Sequence, residues 1–196
     1  MRNTALLALL ALALMGAQGG TTIEESSLPA VGVVTAAPEP LAEPAFKPFG
    51  QIIEVPADAP PTSESAVVRY WGGLAKARFH EEIEFGVLKI RMRDRVVAEL
   101  ERHRRSPEFL VALDGDFFLP VAPYSVSKGG NALPDAARVK VFHVRPGQAV
   151  LLHRGVWHAQ PFPRAGECLF ISAARDGTFR KDTVPRPFRG REAVKF

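Results

Sequence analysis

A single cysteine, Cys168, stands in 196 residues, which excludes an internal disulfide and any cysteine-built zinc cluster. It sits in the apolar run Glu167 to Ala173, where a free thiol packs as a small hydrophobe. No Gly-x-Ser-x-Gly elbow marks a serine hydrolase, and no strand-helix-strand pattern marks a dinucleotide fold. Charge of one sign is scarce as well, with 25 Lys and Arg against 21 Asp and Glu for a net +4. Without a basic stripe interleaved with aromatics, that balance argues against nucleic acid as a partner. Lys128-Gly129-Gly130-Asn131 lacks the spacing and following helix of a P-loop. His80-Glu81-Glu82 lacks the second histidine of a zinc-protease helix and reads as surface.

A long hydrophobic run occurs only at the start. Met1-Arg2-Asn3 supplies positive charge, Thr4 to Met15 is apolar, and Gly16 to Gly20 offers small residues for cleavage. Residues 1–20 therefore read as an export signal, placing the protein in the periplasm or outside the cell. Initiation at Met15 would instead leave it cytoplasmic. The run is too short for a stable membrane anchor. Thr21 to Ala45 carries four prolines and reads as a linker whose last third begins to enter the domain. Residues 46–188 are expected to form one domain, since the length and the 46% hydrophobic content suit a single core. Residues 189–196 are left as a basic tail.

Short apolar runs broken by turn residues predict an all-β domain, a barrel or sandwich of jelly-roll type. Strands are expected over Phe49 to Val55, Val67 to Trp71, Phe85 to Val97, Val139 to Val144, Ala149 to His153 and Glu167 to Ala174. Asp114-Gly115 predicts a two-residue hairpin between Glu108 to Leu113 and Asp116 to Val121. From Phe85 to Val97, Leu88, Ile90 and Met92 alternate with Lys89, Arg91, Arg93 and Arg95. Such a cationic face either guards an edge in solvent or aims Arg91 or Arg93 inward to hold a carboxylate in a two-pronged hydrogen bond. The same parity sets Glu99, Glu101 and His103 on one side of their strand and brings Glu108 within reach of His103. Arg102, Arg104 and Arg105 read as an exposed basic corner.

Two motifs carry chemistry. The first is Glu101-x-His103, four intervening residues, Glu108, six intervening residues and Gly115. The second is a Pro146-Gly147 turn, an apolar strand, and Gly155 followed three residues later by His158. Together they resemble the two halves of a cupin site, with Glu-x-His in place of the usual His-x-His. That resemblance implies a cavity where Glu101, His103, Glu108 and His158 meet. Two imidazoles and two carboxylates suit a divalent metal ion such as nickel, manganese, iron or zinc, and not calcium. The competing account keeps both histidines as hydrogen-bonded interior groups and pairs Glu108 with an arginine.

Leu100-Glu101-Arg102-His103 and His153-Arg154-Gly155-Val156-Trp157-His158, with Phe49 to Glu54 and Arg69-Tyr70, resemble the ureidoglycolate lyase family in order and spacing. The likeness spans roughly Val33 to Phe188. It implies a carbon-nitrogen lyase that releases urea and glyoxylate from a small carboxylate substrate. His103, Glu108 and His158 would then be catalytic, and His153, Arg154 and Trp157 would shape the pocket. A homodimer formed through an outer sheet is implied too. Two other classes stay open: a cupin enzyme acting on another small carboxylate or sugar acid, and a binding module of the cell envelope.

Overall fold

The computed structural model describes residues 31–127, 131–183 and 185–196. The export segment, the first part of the linker and Lys128-Gly129-Gly130 lie outside the described residues.

Alternating inward and outward side chains build two five-stranded sheets. The first runs, antiparallel throughout, in the order Gly50–Ile53, Ala149–Leu152, Glu108–Ala112, Glu167–Arg175, Ile83–Arg91. The second runs Trp157–His158, Phe117–Ala122, Lys140–Val144, Pro38–Pro40, with Phe162–Pro163 also paired to Phe117–Ala122. Leu110, Val150, Leu152 and Phe170 of the first sheet pack in one cluster with Phe117, Leu119, Val121 and Phe142 of the second. Burying each such side chain stabilises the sandwich by about 1.5–3 kcal/mol. The fold is thus all-β and jelly-roll-like, as the sequence predicts, with two facing sheets rather than a closed barrel.

Several local expectations are corrected. Asp114-Gly115 is no hairpin turn, because Glu108–Ala112 pairs in the first sheet and Phe117–Ala122 in the second. Gly115 alone takes a positive φ, of 69°, and a turn of the expected type needs two such residues. The Asp114 carboxylate accepts from Leu169 N at 2.7 Å, which ties the arch to the sheet it leaves.

Among the described residues, the proline-rich linker is also structured. Gly32–Thr35 pairs with Glu192–Lys195, and Pro38–Pro40 pairs with Lys140–Val144. Proline is tolerated there because Pro38–Pro40 lies at a sheet edge. Residues 189–196 are likewise no loose tail: Glu192–Lys195 sits between Gly32–Thr35 and Val96–Val97, and Phe196 packs edge-on against Phe162. The predicted long strand Phe85 to Val97 divides, ending at Arg91 and resuming at Val96.

Asp116 fastens the arch from the other side, its Oδ2 lying 2.6 Å from His143 Nε2 and 3.3 Å from an Arg164 nitrogen. Burial alone would raise the Asp116 carboxyl, but the hydrogen bonds from His143 and Arg164 outweigh it and hold the group below the usual carboxylate range. A depressed folded-state pKa gives stability that is present above the unfolded value and lost as pH falls through the folded one. Asp116→Asn is therefore expected to cost about 1 kcal/mol at neutral pH. In urea unfolding, the gap to wild type should close below about pH 4, whereas a gap independent of pH would contradict this account.

Candidate active site

Three segments converge on one buried point. Glu101 and His158 face each other through a reciprocal backbone pair, Glu101 N to His158 O at 2.9 Å and His158 N to Glu101 O at 2.8 Å. Gly155 N donates to His103 O at 2.7 Å, joining the two motifs a second time. Gly155 needs its positive φ of 79°, and a Cβ there would come within 2.5 Å of the Tyr124 ring. The strand Glu108–Ala112 supplies the third segment, with Glu108 pointing inward beside Leu110 and away from Phe109.

The rings of His103 and His158 lie 5.0 Å apart by centroid. Glu108 Oε2 lies 3.3 Å from His103 Nε2 and 3.1 Å from His158 Nε2. Glu101 Oε1 lies 3.8 Å from His158 Nε2, and Glu101, His103 and His158 each offer a ligand atom within 4.8 Å of the others. His103 is 3% and His158 4% exposed, so the cluster is sealed from solvent except beside Glu101.

The second nitrogen of each ring decides what the cluster asks for. His158 Nδ1 lies 3.1 Å from the Val156 carbonyl, and His103 Nδ1 lies 3.3 Å from the Asp182 carbonyl. A carbonyl only accepts, so each Nδ1 donates and each neutral ring turns a bare Nε2 inward. Both Nε2 atoms are buried without an aligned hydrogen bond. Two lone pairs would then face the oxygens of Glu108, an arrangement that needs positive charge between them, from protons or a metal ion. The electrostatics agree. Burial opposes charge on His158, yet the hydrogen bond and charge of Glu108 push the ring up to about 9. Burial would raise Glu108, but the two histidines hold it far below the usual range. Burial pushes Glu101 up. Glu101, His103 and His158, one carboxylate and two imidazoles, form a donor set that fits a divalent transition metal.

Of the five residues expected to contact substrate, Arg91, Arg93 and Trp157 are engaged elsewhere. Arg91 lies on the outer edge strand, its side chain 87% exposed and 3.6 Å from Glu167. Arg93 is engaged elsewhere, donating to the Pro161 and Gln160 carbonyls at 2.9 and 3.1 Å and lying 3.6 Å over the Phe162 ring. His153 and Arg154 are exposed. Trp157, adjacent to His158 on a strand, necessarily faces the other way. It is buried in the second cluster and donates to Ser125 Oγ at 2.8 Å.

The expected basic corner also splits. Arg102 is buried, donating to the Ser125 carbonyl and lying 4.2 Å over Trp157. Only Arg104 and Arg105 are exposed, and with Asp182 they line an open pocket of about 370 Å³. Sequence reasoning passed over Phe179, Asp182 and Thr183. The short helix Thr178–Lys181 brings the Phe179 ring edge-on to His103 at 5.7 Å, and Thr183 Oγ1 reaches His103 Nδ1 at 3.2 Å.

The model of the ureidoglycolate lyase family matches residues 34–184. This chain belongs to that family. The ureidoglycolate lyase of Salmonella typhimurium is 26% identical over 163 residues, covering 76% of this chain and 92% of that one. The ureidoglycolate lyase of Pseudomonas putida is 32% identical over 126 residues, covering 61% and 72%. The family's match runs through the strands described above and reaches the segment that carries Asp182 and Thr183. Among solved structures, the dTDP sugar isomerase of Desulfovibrio desulfuricans G20 aligns with a TM-score of 0.39 and 14% identity, covering 72% of this chain and 83% of that one.

Proposed function

We propose that this protein is a lyase that cleaves the carbon-nitrogen bond of ureidoglycolate, giving glyoxylate and urea. The observation that carries the reading is the buried meeting of Glu101, His103, Glu108 and His158 in a chain of the ureidoglycolate lyase family. Incubating the purified protein with ureidoglycolate tests it: equimolar urea and glyoxylate are expected, and release at the uncatalysed rate would refute the reading. A bound metal without urea release would favour another cupin activity, and neither would favour a binding module.

Glu101, His103, Glu108 and His158 would hold the divalent ion. Such an ion would supply Lewis acidity toward the oxygens of the substrate. The chain's own groups move the proton. Glu101 is the carboxylate with the more open side chain, 21% exposed against 11% for Glu108, and burial raises its affinity for a proton. It takes the proton of the substrate hydroxyl as the carbonyl forms. The carbon-nitrogen pair departs with the urea nitrogen, which takes the proton back. Glu108, wedged between the two rings, stays ionised and balances their charge.

Arg104 and Arg105 take the carboxylate role in place of Arg91 and Arg93, since they line the open pocket beside Asp182. Arg105→Gln is expected to raise KM about tenfold, the worth of one charge-assisted hydrogen bond, while leaving kcat nearly unchanged. An unaltered KM would remove Arg105 from the site.

A second copy of the chain is the partner we assign to the outer face of the first sheet. Ile83, Phe85 and Val87 are 43%, 71% and 69% exposed on its edge strand, a patch that marks an interface. The strand is acidic at its start, around Glu81, Glu82 and Glu84, and basic at its end, at Lys89 and Arg91. Two copies set antiparallel would match opposite charges about a two-fold axis. Light scattering should give twice the chain mass, with Phe85→Glu monomeric, and a monomeric wild type would refute the pairing.

Among the described residues no helix is long and apolar enough to cross a membrane. Export by residues 1–20 would be read from the mature N-terminus, expected after the small residues Gly16 to Gly20 and not at Met1.

A further inference from the structure

The reading of the cluster as a metal centre raises the question of what keeps His103 turned with its Nε2 inward. His158 is fixed by a carbonyl two residues earlier in the chain, that of Val156. His103 has no such local partner, and its Nδ1 is met by a segment 79 and 80 residues later, at the Asp182 carbonyl and Thr183 Oγ1. The Thr183 hydroxyl has one proton, and that proton is committed to the Thr178 carbonyl at 3.2 Å. Toward His103 it can therefore only accept. Arg105 N donates to Asp182 Oδ2 at 2.7 Å, which pins the same segment to the chain two residues beyond His103. Phe179 closes the ring's remaining side, edge-on at 5.7 Å and 90°.

We propose that Thr183 is a positioning residue whose hydroxyl, oriented by the Thr178 carbonyl, joins the Asp182 carbonyl in holding His103 in the Nδ1-protonated tautomer with Nε2 bare toward Glu108. This deepens the metal-centre reading and assigns the C-terminal segment Thr178 to Thr183 a part in it. An outer partner of this kind fixes ring orientation and raises ligand basicity, and its loss weakens metal affinity about 10–100-fold.

The test uses Thr183→Val, which keeps shape and removes the hydroxyl, and Thr183→Ser, which keeps the hydroxyl and removes the methyl. Zinc affinity by chelator competition and the ring nitrogen shifts of His103 in metal-free protein, recorded at a pH where the ring is neutral, are the two readouts. The valine variant is expected to bind zinc about 10–100-fold more weakly, with nitrogen shifts moved toward the other tautomer. The serine variant is expected to match wild type in both. Wild-type affinity and shifts in Thr183→Val would overturn the proposal. So would a serine variant as weak as valine, since packing of the methyl would then be the cause. If wild type bound no zinc, the metal-centre reading would fail, and the nitrogen shifts would still decide for or against the hydroxyl.

Discussion

His158→Ala and His103→Ala are each expected to lower urea release by at least about 10²-fold, the lower range for removal of a positioned proton-transfer or ligand group. The fold should survive, because the pairing of His158 with Glu101 runs through both main chains, at 2.9 and 2.8 Å. His103 O similarly accepts from Gly155 N through the backbone. Removing either ring leaves Glu108 with one partner in place of two, so metal binding should fail together with turnover. Far-ultraviolet circular dichroism beside a urea assay checks both halves. A variant that keeps wild-type turnover would remove that histidine from the chemistry, whatever its place in the structure.

Glu108→Gln is the second large effect. Its carboxylate contacts both Nε2 atoms, at 3.3 and 3.1 Å. Glutamine has nearly the same shape and carries an amide that donates, so it satisfies a bare Nε2 without any cation. The metal-free variant should nevertheless be less stable than metal-free wild type at neutral pH, because the ionised Glu108 is what holds His158 protonated, and breaking such a buried pair costs about 3–5 kcal/mol. Its response to metal should vanish. Wild type gains stability as RT ln(1 + [L]/Kd) when an ion binds the folded state, and Glu108→Gln is expected to show no such rise in Tm. Turnover should fall with it. A variant that is stabilised by metal as strongly as wild type would show that Glu108 is no ligand.

The architecture was legible where local pattern and global fold agree. Short apolar runs bounded by turn residues at Pro146-Gly147 and Ala165-Gly166 mark the strands Ala149–Leu152 and Glu167–Arg175 within a residue or two. The meeting of Glu101, His103, Glu108 and His158 is what the resemblance to the two halves of a cupin site implies, and the structure brings the four side chains together. What failed were readings that depend on partners distant in sequence. Asp114-Gly115 has the composition of a hairpin, but the chain crosses between sheets there, with Leu169 N holding the aspartate. Arg91 and Arg93 alternate as a lining face would, but Arg91 ends an edge strand, and Arg93, beyond it, turns to carbonyls 67 and 68 residues away. Arg102 looked exposed beside two other arginines and is buried over Trp157. Thr183 gave no signal at all, since an isolated threonine in a polar stretch acquires meaning only from the ring it reaches.

The account rests on four side chains that together demand positive charge, and elemental analysis of the purified protein asks about that directly. Wild type should carry close to one divalent transition-metal ion per chain, and His103→Ala prepared in parallel should carry none. A folded wild type that releases urea at full rate after exhaustive chelation, with no ion detected, would contradict the account.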